Sequence, residues 1–260
     1  MKANHNIHIV ENRPWPLLAS LAAYLLTLGL ICIFHRSSVG LLRASLGLTT
    51  IVAFQWWRDV GREAGSQGLH SKIVEANMRW GIVLFIASEG LFFFSFFWAY
   101  FHRSLAPSVE LGFVWPPVAI ESFNPFGVPL LNTIILLSSG LTVTWAHYSM
   151  LAGNHWDLSI SLGLTIVLGV YFTVLQGYEY LEASFSFRDS VYGRCFFLAT
   201  GFHGLHVFIG TSFLLGCYLR AWLGQFSINH HFGFEAAAWY WHFVDVVWIF
   251  LFIRIYWWGR

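Results

Sequence analysis

The run Trp80-Gly-Ile-Val-Leu-Phe-Ile-Ala-Ser-Glu-Gly-Leu-Phe-Phe-Phe-Ser-Phe-Phe-Trp-Ala-Tyr100 carries a single charged side chain, Glu89. The nearest charges in sequence are Arg79, ten residues before it, and Arg103, fourteen after. On an α-helix these lie about 15 and 21 Å away along the axis. Such a run spans a hydrocarbon core of about 30 Å and sets Glu89 near its midplane. An ionised carboxylate at that depth costs several kcal/mol, so Glu89 is expected to be neutral, paired or in touch with an internal polar path. Two readings stay open: a functional intramembrane acid, or a protonated acid hydrogen-bonded to a neighbouring helix.

The rest of the chain repeats the pattern. Charged residues make up 10% of the sequence and hydrophobic ones 57%, with a mean hydropathy of +0.61. A soluble domain carries about 25% charged residues. The 14 Trp and 26 Phe suit helices that face lipid and one another. A net charge of +1 offers no basic stripe for nucleic acid. Cys32, Cys195 and Cys217 fall in or beside apolar runs and form no C-x-x-C or C-x-x-C-H element, so they read as small core residues. The N-terminal arm has neither a signal-peptide apolar region nor an Arg/Ser-rich transit pattern, and insertion is expected to rest on the spans themselves.

Seven apolar spans are predicted, at about 15–34, 41–57, 80–101, 128–150, 158–180, 192–222 and 236–258. The fold class is all-α, a polytopic bundle of seven transmembrane helices in a single membrane domain over 1–260. The second span is the weakest: it contains Arg43 and ends on Trp56-Trp57, an interfacial pair. The most charged stretch, Arg58 to Arg79, reads as a surface loop, and so does the proline-rich His102 to Phe126. The seven prolines stay out of span interiors, which argues against the broken helices of transporters. Alternating the loops between two sides puts Lys and Arg at 2, 13, 58, 62, 72, 79 and 220 on one side. The other side receives those at 36, 43, 103, 188, 194, 254 and 260, so charge bias gives no orientation.

Two constellations carry chemistry. Span six holds His203 and His206, and span seven holds His242 and Asp245, each pair at i,i+3 on one helix face. With Glu89, Glu235 and His147 they can be grouped as a buried carboxylate–histidine metal cluster. The Glu-x-x-His elements of a di-iron site are missing, however. Gly201, Gly204 and Gly210 point instead to close helix packing, with His203, His206, His242 and Asp245 as structural polar pairs. The second constellation gathers Trp57, Arg58, Arg62, Glu63 and His70 at one membrane surface, with Arg220 and His230-His231 assigned to the same side. Cations and an indole at headgroup depth suit lipid phosphate, and a solvated loop with interfacial aromatics suits the same residues.

Several stretches then resemble one family: Gln55-Trp-Trp-Arg-Asp59, Ser88-Glu-Gly-Leu-Phe-Phe93, Ser104-Leu-Ala-Pro107, Trp115-Pro-Pro117, Val128-Pro-Leu-Leu-Asn-Thr133 and Thr144-Trp-Ala-His147. To these are added Thr200-Gly-Phe-His-Gly-Leu-His-Val207, Asn229-His-His-Phe-Gly-Phe-Glu235 and Ala238-Trp-Tyr-Trp-His-Phe-Val-Asp-Val-Val-Trp248. Together they resemble subunit III of the haem-copper cytochrome c oxidases in its mitochondrially encoded form, over nearly the whole chain.

The resemblance implies a V-shaped bundle in which helices one and two form one arm and helices three to seven the other, with phospholipids in the cleft. It implies a place beside catalytic subunit I, with subunit II and accessory subunits as further partners. No catalytic centre, metal or haem is implied in this chain, the haem and copper belonging to partner subunits. Trp57, Glu63, His70, Phe85 and Arg220 match positions that contribute to lipid binding in the family, with Arg62 beside them. Glu89 matches the family's carbodiimide-reactive carboxylate. The implied location is the mitochondrial inner membrane with the N-terminus on the matrix side. The implied role is to stabilise subunit I, retain lipid, support proton uptake and ease oxygen access, in a complex that oxidises cytochrome c, reduces oxygen and pumps protons. One departure is Ala221-Trp-Leu-Gly-Gln225, which lacks the lysine some members place after Arg220, so a cardiolipin contact there is less secure. Three further readings remain: a quinol-oxidase third subunit, which usually lacks the first two helices; a transporter using Glu89 as its proton or ion site; and a di-iron membrane enzyme.

Overall fold

Seven α-helices account for most of the chain in the computed structural model, which describes residues 8–36, 38–109, 112–118 and 120–259. They are α1 (Trp15–Phe34), α2 (Gly40–Ala64), α3 (Lys72–Ser104), α4 (Val128–Leu151), α5 (His155–Leu181), α6 (Val191–Trp222) and α7 (Phe232–Leu251). A π-helical segment, Phe252–Trp257, continues α7 without a break. The polytopic all-α class follows directly: six of these helices are long and apolar enough to cross a membrane. The exception is α2, whose second half carries Arg58, Asp59, Arg62 and Glu63. Lys2 and Arg260 of the charge tally lie outside the described residues.

Local sequence sets the helix ends. Pro14 and Pro16 open α1, where the first N–H groups have no intrahelical acceptor to lose. Asn154 caps α5 by accepting from the Asp157 N–H at 3.3 Å, and Ser190 caps α6 by accepting from the Gly193 N–H at 3.2 Å. The expected surface loop from Arg58 to Arg79 is corrected by the structure. Helix α2 runs on to Ala64 and α3 starts at Lys72, leaving only 65–71 between them. Hydropathy marks where a helix leaves lipid, and backbone hydrogen bonding continues past that point. Likewise α7 begins at Phe232, ahead of the apolar span.

The chain forms two compact units, Met1–Met78 and Arg79–Arg260. In the first, α1 lies against α2 with Gly29 at the closest approach: a Cβ there would sit 2.8 Å from the Leu42 Cα. Ala22, Ser45, Val52 and Glu63 are its buried side chains among the described residues. In the second unit α7 is the most enclosed helix. Its indoles donate hydrogen bonds to α4, Trp241 to the Ser139 hydroxyl and Trp248 to Thr133, each at 2.9 Å. Trp248 also meets Phe172 of α5 edge-on at 4.8 Å. Among the three glycines read as packing sites, only Gly210 meets a neighbour closely, its Cβ position lying 2.9 Å from the Trp241 ring. Gly204 faces open space and Gly201 has only the Tyr180 hydroxyl at 3.9 Å, so the close-packing expectation is corrected to one position.

Candidate functional site

Glu89 points from α3 to α6. Its Oε2 lies 2.8 Å from Nε2 of His206, and Nδ1 of His206 lies 2.6 Å from the Phe202 carbonyl oxygen one turn back. A carbonyl only accepts, so Nδ1–H donates to it and fixes the tautomer. In a neutral His206 the remaining Nε2 accepts, and Glu89 donates to it as an acid. In a charged His206 the same nitrogen donates to the Glu89 carboxylate. Both arrangements share one proton and leave the pair with no net charge, which is how a bilayer tolerates these groups. The ring of His206 is walled by Phe93 at 5.0 Å and by Tyr240 at 6.2 Å.

The other intramembrane residues disperse to separate places. His203, fully enclosed beside Trp248 and Phe172, directs Nε2 to the Val244 carbonyl of α7 at 3.1 Å. This donation ties α6 to α7 backbone, so the partner of His203 is a peptide group and not a side chain. His242 lies 3.7 Å from Asp245 Oδ2 on its own helix and 3.4 Å from the Thr144 hydroxyl of α4. Gly140 leaves room for that carboxylate, since a Cβ there would collide with Oδ2 of Asp245. The broad cluster grouping Glu89 with His147, His203, His206, His242 and Asp245 is therefore not formed. Among the described residues, two sets of three His or carboxylate groups bring ligand atoms within 4.8 Å of one another: His8–Glu63–His70 and His147–His231–Glu235.

The first of these ends the α1–α2 unit. Glu63, buried in the last turns of α2, receives the Arg13 guanidinium on Oε1 and faces Nε2 of His8 at 3.2 Å on Oε2. The His8 and His70 rings meet edge-on at 5.5 Å. Beside them the Trp15 indole donates to Asp59 at 2.7 Å. That bond, and then Arg58 at 3.0 Å, hold the Asp59 carboxyl below its ordinary value. Trp57 and Arg62 face outward from the same turns. The remaining two residues read as lipid-binding, Phe85 and Arg220, belong to the other unit. Phe85 is exposed and stacks on Tyr240 at 6.2 Å. Arg220 bonds to Gln225 at 3.2 Å and lies 4.5 Å over the Phe226 ring.

Sequence reading missed three elements. The Arg13 and His8 clamp on Glu63 lies outside the span pattern, and its signal was only that two polar residues precede α1 while a carboxylate sits near the end of α2. Glu179, 2% exposed in α5, is a further enclosed carboxylate, visible in sequence as the acid in Tyr178-Glu-Tyr180. The pairing of His147 with His231 joins positions far apart in the chain, which spacing cannot reveal.

Comparison with known proteins follows the same lines. A family profile described as cytochrome c oxidase subunit III matches residues 5–260. The chain is 58% identical over 257 residues to cytochrome c oxidase subunit 3 of Anopheles gambiae, covering 99% of this chain and 98% of the relative. It is 56% identical over 259 residues to the Paracentrotus lividus protein of that name, covering 100% and 99%. To the Mammuthus primigenius one it is 57% identical over 255 residues, covering 98% of each.

Proposed function

We propose a function from one premise: the chain belongs to the cytochrome c oxidase subunit III family. It is a multi-pass membrane subunit of an oxidase complex, and within that complex we assign it a structural and lipid-holding part. It packs chiefly against subunit I, with subunit II and accessory subunits around it, in the mitochondrial inner membrane with its N-terminus on the matrix side. It carries no redox centre of its own, and haem and copper reside in its partners. The observation that carries this reading is the likeness over 99% of the chain to relatives that bear one name.

The α2 end gives the lipid role a physical form. Phosphate is met by donors, and the outward donors there are the Arg58 and Arg62 guanidiniums and the Trp57 indole, with His70 half-buried beside them. Glu63 would repel a phosphate. Held by Arg13 and His8, it instead positions the segment and leaves Arg62 and Trp57 facing outward. His70 is assigned a part in supporting proton uptake at this surface.

The test is purification of the complex in mild detergent, with absorption spectrum, haem, copper and lipid phosphorus measured before and after this chain is stripped away. Haem and copper staying with the partners, while phospholipid leaves with this chain, is the expected result. Haem or copper that follows this chain overturns the proposal. For His70, a His70→Ala complex should take up protons more slowly and hold less lipid, and unchanged values of both would refute its part.

A further inference from the structure

We propose that His147, His231 and Glu235 form a binding site for a divalent transition-metal ion of zinc type, at the end of α4 and the start of α7. His231 is the residue before α7, delivered by a tight turn in which Ser227 and His230 exchange backbone hydrogen bonds at 3.1 and 3.3 Å. Its Nδ1 lies 3.1 Å from the Ser227 carbonyl oxygen, so Nδ1–H donates there and the Nε2 lone pair faces the cluster. A carbonyl bond of that kind is what orients and tautomerises a metal-binding imidazole.

His231 is 8% exposed, and its Nε2 has no hydrogen-bond partner. Nε2 of His147, on α4, is likewise buried without a partner. The two rings meet at 5.9 Å with an interplanar angle of 60°. One turn into α7, Glu235 holds Oε1 3.6 Å from His231 Nε2, while Arg79 takes Oε2 at 2.9 Å. The guanidinium turns the carboxylate and leaves one oxygen toward the imidazoles. The ligand atoms lie within 4.8 Å of one another. An ion with bonds of about 2.0–2.2 Å closes that triangle after side-chain movements on the order of 1 Å.

Two neutral imidazoles with one carboxylate suit zinc, and leave a coordination position for water. The Nε2 lone pair of His231, lying beside the equally unpartnered Nε2 of His147, is a good ligand for an ion. This accounts for both orphaned atoms at once. The proposal does not depend on the subunit's role in the complex.

The test equilibrates the chelator-washed oxidase complex with zinc alone and measures zinc per haem for the wild type, His147→Gln, His231→Gln and a His230→Gln control. One zinc equivalent is expected to disappear in each of the first two variants and to remain in the control. Equal zinc content in all four overturns the site. Should the variants fail to assemble, carbethoxylation of the wild-type complex with residue-level readout decides. Zinc should slow modification of His147 several-fold and leave His230 unchanged, and the same rate at His147 with and without zinc overturns the proposal.

Discussion

The first unit, with α1 and α2, and the second, with α4 to α7 at its centre, hold helices together by different means. In lipid, apolar side chains gain little by leaving one hydrocarbon surface for another, so association rests on close packing and polar contacts. The first unit has few buried side chains. It relies on a small-residue contact at Gly29 and a polar clamp at one end, where Glu63 gathers Arg13 and His8. The second has a continuous aromatic core in which Trp241, Trp248, Phe172, Phe196 and Tyr256 are fully enclosed. Its indoles also donate to α4 hydroxyls. Charge does in one place what ring packing does in the other.

The largest effect that separates the two should come from Trp248→Ala. It removes an enclosed indole and its bond to Thr133, at a cost of about 3–5 kcal/mol. Hydrogen exchange in the assembled complex should rise in peptides from α4, α5 and α7, with those of α1 and α2 unchanged. Next, Glu63→Ala leaves the largely covered Arg13 without its carboxylate, a loss of about 3 kcal/mol. Exchange and proteolysis should then increase in 8–64 and leave the aromatic core protected. Gly29→Leu, by forcing the Leu42 backbone away, should cost about 1–3 kcal/mol and lower the thermal midpoint of the first unit alone.

The smallest effect is expected from Trp15→Phe, read at the titration of Asp59. The folded carboxyl is held low, first by Trp15 and then by Arg58. Its contribution is therefore present above the ordinary carboxylate value of about 3.9 and lost as pH falls toward the lowered folded value. Without the indole the titration should move upward, and an unmoved midpoint would show that Arg58 alone sets it.

Much of the bundle was legible in sequence because hydrophobic length is a one-dimensional signal. Pro14 and Pro16 gave the start of α1 a local cause, while the caps Asn154 and Ser190 emerged only with the structure. The Arg58–Arg79 stretch misled because charge reports solvent, and a helix continues into solvent as readily as through lipid. The sites were harder. Glu89 was conspicuous by its isolation, yet that its partner is His206 of α6 depends on helix rotation and packing. The i,i+3 pairs suggested side chains acting together, whereas His203 turns to a backbone carbonyl and His206 to α3. Spacing puts two residues on one face, and that face is wide enough to serve two neighbours.

The modest hydrophobicity of α2 bears on how the protein is made. A segment with Arg43 near its start and four charges in its last turns has little cause to leave the translocation machinery for lipid by itself. Helix α1, just ahead of it in the chain, is long and apolar enough to do so. A hairpin of the two is the arrangement in which α2 would enter. The Gly29 contact and the clamp on Glu63 become part of biogenesis, because they compensate the cost of α2 at the moment it enters.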